Sequence, residues 1–125
     1  VQYGDVSAEI KELLDTHGIT LHNFEELDLK NDFEGTAALM KNLDLVMGAA
    51  SSPVSQAATV GTQVWWVIHN NRFWECFGKE DGTHLFETAK MTPKPADQTW
   101  KIFMPQFAKD QFAPWVEQKL KEKNT

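Results

Sequence analysis

The sequence predicts one α/β domain in which strands and helices alternate and a mostly parallel sheet is covered on both faces. Gln63–Ile68 is a continuous run rich in β-branched and aromatic residues, the pattern of a strand buried on both sides. Segments with the apolar period of a helix lie before and after this run. Because predicted strands and helices follow one another in turn, the order is typical of a parallel sheet with helices on either side.

The N-terminal part of the chain predicts the end of a strand, a helix and a second strand. Val1–Tyr3 has the pattern of a strand end. The helix that follows is capped by Asp5 or Ser7 and ends at Gly18, a residue suited to a left-handed C-terminal position. Ile19–Phe24 alternates apolar and polar side chains, which predicts a short strand. One face of the helix is apolar and carries Val6, Ile10, Leu13, Leu14 and His17.

Two further helices flank a short apolar strand in the middle of the chain. Asp32 is a favourable N-cap for a helix over Phe33–Asn42. Leu45–Ala49 follows as a strand, and the next helix ends at Gly61. The side chains of the first of these helices that we expect to point inward are Phe33, Ala37, Met40 and Leu43.

Periodicity fades between His69 and Thr99, and a long irregular stretch inside a compact domain is often functional. Trp100–Met104 is predicted as a last short strand. Phe107–Lys121 is predicted as a terminal helix, with Pro114 either in its first turn or at a break near its start. The apolar face of this helix is Phe112, Trp115, Val116 and Leu120.

Composition narrows the function classes. The net charge of −6 argues against a general nucleic-acid binder, which usually has a basic face. No apolar run approaches the roughly 20 residues of a transmembrane helix, so no transmembrane segment is predicted. Cys76 is the only cysteine, so no internal disulfide forms and a cytoplasmic location is expected. The four histidines have no ligand spacing, and we predict neither a metal site nor a cofactor.

The segment from Gly48 to Ser52 is the sharpest candidate for ligand binding. It follows an apolar strand and opens a helix, with Pro53 at the first helical position. Ligands of parallel sheets bind beyond the carboxyl ends of the strands, and anions favour helix N-termini. Small residues allow close approach to the backbone, and the hydroxyls of Ser51 and Ser52 can bond phosphate oxygens. The competing interpretation is a plain helix cap, with Ser51 or Ser52 as the capping residue.

Other predicted strand ends offer further contacts. The segment Tyr3-Gly4-Asp5 could place an aromatic ring and a carboxylate beside the base and ribose of a nucleotide. The alternative is that it forms only a turn followed by a helix cap. Lys30 and Arg72 are candidates for phosphate, with solvated surface positions as the alternative.

Catalytic residues remain unknown at the level of sequence. Gly-rich phosphate loops and the nucleophile elbow are missing. Asp5, His22 and His69 could each act as a base, and nothing in the sequence selects among them.

Several segments in order resemble a known family. They look like the C-terminal glycosyltransferase region of bacterial tetratricopeptide-repeat proteins, which is similar to the ADP-heptose:lipopolysaccharide heptosyltransferase family. The resemblance covers nearly the whole chain. The segments that carry it are Gln2–Asp5, Asp28–Asp32, Thr36–Met40, Leu43–Met47, Val64-Trp65 and Lys101–Phe103.

This resemblance implies a Rossmann-like three-layer domain that forms the C-terminal half of a two-domain glycosyltransferase. Residues 1–125 would then be a single, incomplete nucleotide-sugar-binding domain that begins after its first strand, with an acceptor or repeat domain upstream. The expected ligand is an ADP-, GDP- or UDP-linked sugar. The residues expected to contact it are Tyr3, Gly4, Asp5, Lys30, Ala50, Ser51, Ser52, Ser55 and Arg72.

The chain also departs from the family pattern. Many members carry Asp-Thr where Ala50 and Ser51 stand, and His where Ser55 stands. The expected function is therefore the donor-binding half of a metal-independent glycosyltransferase, with a non-catalytic binding or protein-interaction module as the alternative. A structural domain that packs against its own repeats is a third possibility. If the first strand is missing, the exposed sheet edge predicts a homodimer.

Overall fold

The computed structural model describes residues 5–69, 74 and 78–124. Within them lie five α-helices, a three-stranded sheet and one π-helical segment. In chain order the elements are α1 (Ser7–His17), α2 (Phe33–Lys41), β1 (Val46–Gly48), α3 (Ser52–Thr59), β2 (Val64–Ile68), β3 (Ala89–Pro93), α4 (Trp100–Phe107), the π segment (Ala108–Phe112) and α5 (Ala113–Lys123).

The sheet is small and wholly parallel in the described residues, with strand order β1-β2-β3. Val64 is in register with Val46 on one side and with Ala89 on the other. Because parallel neighbours need a crossover, α3 connects β1 to β2. The predicted α/β class with a parallel sheet is confirmed.

The central strand β2 is buried at all five positions, as predicted. Its side chains alternate between the two faces of the sheet. Trp66 belongs to the cluster formed with α2 and α3, whereas Trp65 and Val67 belong to the cluster formed with α4. Helices therefore cover both faces of this strand.

On the first face, α2 and α3 are packed together and joined by polar contacts. Met40 of α2 and Ala57 of α3 are fully buried against β2. The Gln56 side-chain amide donates to the Phe33 carbonyl at 2.9 Å. Thr62 Oγ1 donates to the Met40 carbonyl, also at 2.9 Å. The first bond joins the start of α2 to α3, and the second joins the end of α2 to the segment between α3 and β2.

On the second face, aromatic rings and a chain of hydrogen bonds hold the C-terminal helices. The rings of Trp65 and Phe107 meet edge to face at 5.1 Å. Trp65 Nε1 donates to Thr92 Oγ1 at 2.9 Å, and Thr92 Oγ1 donates to Gln111 Oε1 at 3.0 Å. This chain links β2, β3 and the π segment, and it satisfies the buried indole N–H.

Three sequence predictions about strands were wrong. Ile19–Phe24 is irregular, because none of the described residues pairs with its backbone as a neighbouring strand. Trp100–Met104 lies in α4, where Phe103 and Phe107 are buried one turn apart. Five residues were too few to reveal that period, and Pro105 inside the helix obscured it further.

The third error was a missed strand, β3, within the stretch expected to be irregular. The polar residues Lys90 and Thr92 lack the apolar pattern from which a strand is predicted. The Lys90 ammonium lies 4.0 Å from the centre of the Trp65 ring, and Thr92 is buried and makes two hydrogen bonds. Pro93 ends the strand, a position that proline tolerates.

The predicted helices are confirmed, with shifted bounds. Gly18 ends α1 in the left-handed region at φ 65°, and Asp32 caps α2. The terminal helix α5 begins at Ala113 instead of Phe107, and Pro114 lies in its first turn. The apolar face expected of α1 is not part of the core, since no residue of this helix is buried. Among the described residues, no helix is both long and apolar enough to cross a membrane.

We expect Thr92→Val to lower the free energy of unfolding by about 1–3 kcal/mol, because the indole N–H of Trp65 would lose its buried acceptor. Urea denaturation measures the difference. Thr99→Val is the matched control, since the exposed Thr99 side chain makes no capping bond, and its effect should stay within about 0.5 kcal/mol. Equal stability of the two variants would contradict the role of the hydrogen-bond chain.

Candidate functional site

The carboxyl ends of the three parallel strands lie at one edge of the sheet, at Gly48, Ile68 and Pro93. The chain leaves β1 at this edge and enters α3 after three residues. This is the edge at which parallel sheets bind ligands.

A groove beside the first turn of α3 is the candidate site, and we call it the α3 groove. Its volume is about 440 Å³, within the usual range for small-molecule sites. One wall comes from the loop before α2 and from α2 itself, and the other comes from α3. The residues that line it include Leu29, Lys30, Phe33, Thr36, Ser52 and Gln56.

The wall carrying Lys30 is fixed by the Asp28 carboxylate. Asp28 Oδ1 accepts from the backbone N–H of Lys30 at 3.0 Å and of Asn31 at 3.1 Å. Asp28 Oδ2 accepts from the Asn31 side-chain amide at 2.8 Å. The Asn31 side chain, followed by the two backbone donors, holds the pKa of Asp28 below its ordinary value. The carboxylate thus stays ionised and holds the turn that presents Lys30.

The first turn of α3 has no side-chain cap. Ser51 occupies the N-cap position with extended backbone, yet its hydroxyl makes no capping bond. Pro53 has no N–H, so the backbone donors of this turn belong to Ser52 and Val54. The neighbouring helix behaves differently, because Asp32 Oδ1 accepts from the Gly35 N–H at 2.7 Å. Ser51 is therefore a cap by position only, and the plain-cap interpretation lacks the capping bond that it implies.

A second groove of about 420 Å³ lies on the other side of Pro53, along β1. Ser51 and Ala49 line it together with apolar residues such as Met47. Packing favours glycine at position 48, because a Cβ atom there would lie 3.1 Å from Val54 Cγ2. We call this second groove the β1 groove.

The structure brings some predicted site residues together and separates others. Lys30 and Ser52 line the α3 groove, and Ser51 lines the β1 groove. Ala50 packs against the core, and Ser55 lies in the second turn of α3. Tyr3, Gly4 and Arg72 lie outside the described residues.

Asp5 lines neither groove. Its Oδ1 accepts from the Ser7 hydroxyl at 2.6 Å and from the Ser7 N–H at 3.0 Å, and these bonds lower its pKa. The Asp5 carboxylate therefore bonds the first residue of α1, whereas the N-cap position itself belongs to Val6 and not to Asp5 or Ser7 as predicted.

Phe33 and Gln56 also line the α3 groove, although neither was predicted as a site residue. Phe33 was expected to point into the core, but it is 67% exposed on the groove wall. Phe33 lies on the same face of α2 as Thr36 and Met40. It is, however, the first residue of α2, and it lines the groove together with residues from the first turn of α3. No local signal in the sequence shows this, because the place of Phe33 depends on how α2 and α3 meet.

The lining of the α3 groove offers one positive charge, hydroxyls, an amide and an aromatic ring, but no carboxylate or imidazole. Across the described residues, no group of three or more Asp, Glu, His or Cys side chains could hold a metal ion. The arrangement can bind an anion attached to an apolar ring. It has no obvious base or nucleophile.

Comparisons with known proteins give one partial likeness. The chain is 32% identical to Protein FlbA of Caulobacter vibrioides over 80 residues, which cover 64% of this chain. The matched region is 13% of the length of FlbA. No family model matches the chain, and no solved structure matches it.

The two N-caps should respond differently to truncation. Asp32→Ala should cost about 1 kcal/mol of unfolding free energy, because the Gly35 N–H loses its acceptor. Ser51→Ala should cost only a few tenths, since no capping bond is lost. Denaturant titration of both variants measures this, and an equally large loss for Ser51→Ala would restore the plain-cap interpretation.

Proposed function

We propose that this chain is the donor-binding half of a nucleotide-sugar-dependent glycosyltransferase, folded as an incomplete Rossmann-like domain. The observation that carries the proposal is the α3 groove, which is lined by both Lys30 and Ser52 beside the first turn of α3. Both residues are expected from the family resemblance to contact the donor. The resemblance and the groove support the same position independently.

The proposed binding mode follows from the chemistry of the walls. The diphosphate lies at the first turn of α3, where the Ser52 hydroxyl and the backbone N–H groups donate to its oxygens. Lys30 offsets part of the negative charge. Phe33 and Leu29 supply an apolar surface for the base. In glycosyl transfer the same donors would stabilise the leaving nucleoside diphosphate, with no metal required.

A second candidate is a binding module that keeps the fold without the reaction. It is favoured by Ala50 and Ser55, which stand where many family members have an acid and an imidazole. The α3 groove contains no replacement for either group. The two candidates share the ligand and differ only in whether the sugar is transferred.

Protein contacts are part of the proposal. Leu14, Ile19, Leu21 and Phe24 are each between 46% and 50% exposed. Such a set of apolar side chains favours packing against an upstream acceptor or repeat domain. The outer edge of β1 is unpaired among the described residues, which supports the expected homodimer. The single cysteine in the sequence supports a cytoplasmic location.

Thermal denaturation with ADP, GDP, UDP and their sugars tests the binding site. A ligand at 100 times its Kd should add roughly 2.7 kcal/mol of stability. Lys30→Gln and Ser52→Ala should each weaken binding about tenfold, because a donor to the diphosphate is lost. Lys101→Gln is the matched control on α4, away from the groove, and should bind as the wild type does.

The outcomes separate the two candidates. No shift with any of these ligands would overturn the donor site. A shift that survives both groove substitutions would place the ligand elsewhere. Binding alone fits both candidates, because the donor half lacks its acceptor domain, whereas release of nucleoside diphosphate from a bound nucleotide sugar would exclude the non-catalytic module.

Self-association through β1 is tested by sedimentation. We expect the wild type to form dimers in a concentration-dependent way, and Met47→Lys to shift it to monomer, since Lys on an edge strand opposes pairing. Leu120→Lys, at an exposed apolar position of α5, is the matched control and should leave the dimer intact. A wild type that stays monomeric at high concentration would contradict the prediction.

A further inference from the structure

The segment Ile19–Phe24, which follows α1, leaves both its backbone and its apolar side chains available to a partner. It contains no turn and no sharp bend. Within the described part of the chain, the N–H and C=O groups of residues 20–23 make no backbone hydrogen bond. The side chains of Ile19, Leu21 and Phe24 are all close to half exposed. A neighbouring strand would satisfy the backbone groups and cover the side chains at the same time.

The outer edge of β1 has free backbone groups of the same kind. The Val46 N–H donates to the Gln63 carbonyl at 3.0 Å, so it points to the side on which β2 lies. Because the backbone groups of successive residues in a strand point to opposite sides, those of Leu45 and Met47 point away from β2. No described strand lies on that side. The edge can therefore accept one more strand.

The β1 groove supplies an apolar surface beside this edge. Leu43, Leu45 and Met47 are among the residues that line it. Leu43 and Met47 are each 41% exposed. A strand added at the edge would place its own side chains against them, and the burial of apolar surface on both partners would stabilise the contact.

Neither segment carries the residues with which proteins usually protect an edge strand. Such protection comes from charged side chains, lysine above all, and from proline. The segments Ile19–Phe24 and Leu45–Gly48 contain no Lys, Arg, Asp, Glu or Pro. Nothing in either sequence therefore opposes strand pairing.

We propose that Ile19–Phe24 of one copy pairs with the outer edge of β1 in a second copy, and that the exchange is reciprocal. Within one copy the two segments do not pair in the described structure. Reciprocal exchange closes a two-fold dimer in which each copy both supplies and accepts a strand. The three-stranded sheet of each copy then gains a fourth strand.

A second copy fits these observations better than an upstream domain does. Such a domain could cover the apolar side chains, but a run of free backbone groups calls for a strand edge, which β1 provides. The inference rests on the homodimer of the proposed function and names the segments that form it. It does not depend on the nucleotide-sugar site.

The test is NMR of an equal mixture of ¹⁵N-labelled and ¹³C-labelled chains, at high concentration and without nucleotide. Nuclear Overhauser effects are filtered for contacts between differently labelled copies. We expect such contacts between Ile19–Phe24 of one copy and Leu45–Gly48 of the other. This measurement needs no variant, so the proposal stays testable whether or not a substituted chain folds.

Sedimentation of two variants tests the same contact. Leu21→Lys should weaken dimerisation roughly tenfold or more, because a charge replaces an apolar contact on a paired strand. Leu14→Lys is the matched control, since Leu14 is a similarly exposed apolar residue of α1 outside the segment. It should dimerise as the wild type does.

The outcomes separate this inference from the donor site. Contacts between the two segments within one copy, or between the β1 strands of both copies, would overturn it. So would a dimer that survives Leu21→Lys, an equal loss with Leu14→Lys, or a chain that stays monomeric. A chain that dimerises in this way but binds no nucleotide would overturn the donor site alone.

Discussion

The burial of β2 on both faces is the constraint on which the described structure depends. A strand with adjacent tryptophans must cover each ring on a different side of the sheet, because successive side chains point in opposite directions. Trp66 is covered by the layer that contains α2 and α3, and Trp65 by the layer that contains α4 and α5. The three-layer arrangement follows from these two rings.

Local signals were enough to predict the helices, because their ends are chemically marked. Gly18 and Asp32 occupy the terminal positions predicted for them, and Pro53 lies in the first turn of its helix. Strands were harder to predict, because a strand is stabilised by neighbours that the local sequence does not show. Ile19–Phe24 alternates apolar and polar residues as a strand does, but no strand among the described residues pairs with it. β3 pairs with β2, although its sequence does not show that alternation.

The candidate site was predictable in part for the same reason. Lys30 and Ser52 could be found from a loop and a helix start, and they line one groove. Phe33 and Gln56 could not, because their places depend on how α2 and α3 meet. Contacts between distant elements decide such positions.

The proposed diphosphate site lies at the first turn of α3, which has no side-chain capping bond, in a groove that Lys30 also lines. Amide NMR with inorganic pyrophosphate tests this most directly, since the probe has no base or sugar to bind elsewhere. If pyrophosphate binds there, we expect saturable chemical-shift changes centred on the backbone N–H groups of Lys30, Ser52 and Val54, and these changes should weaken as salt is added. Shifts spread over the surface lysines, or none at these three positions, would contradict it.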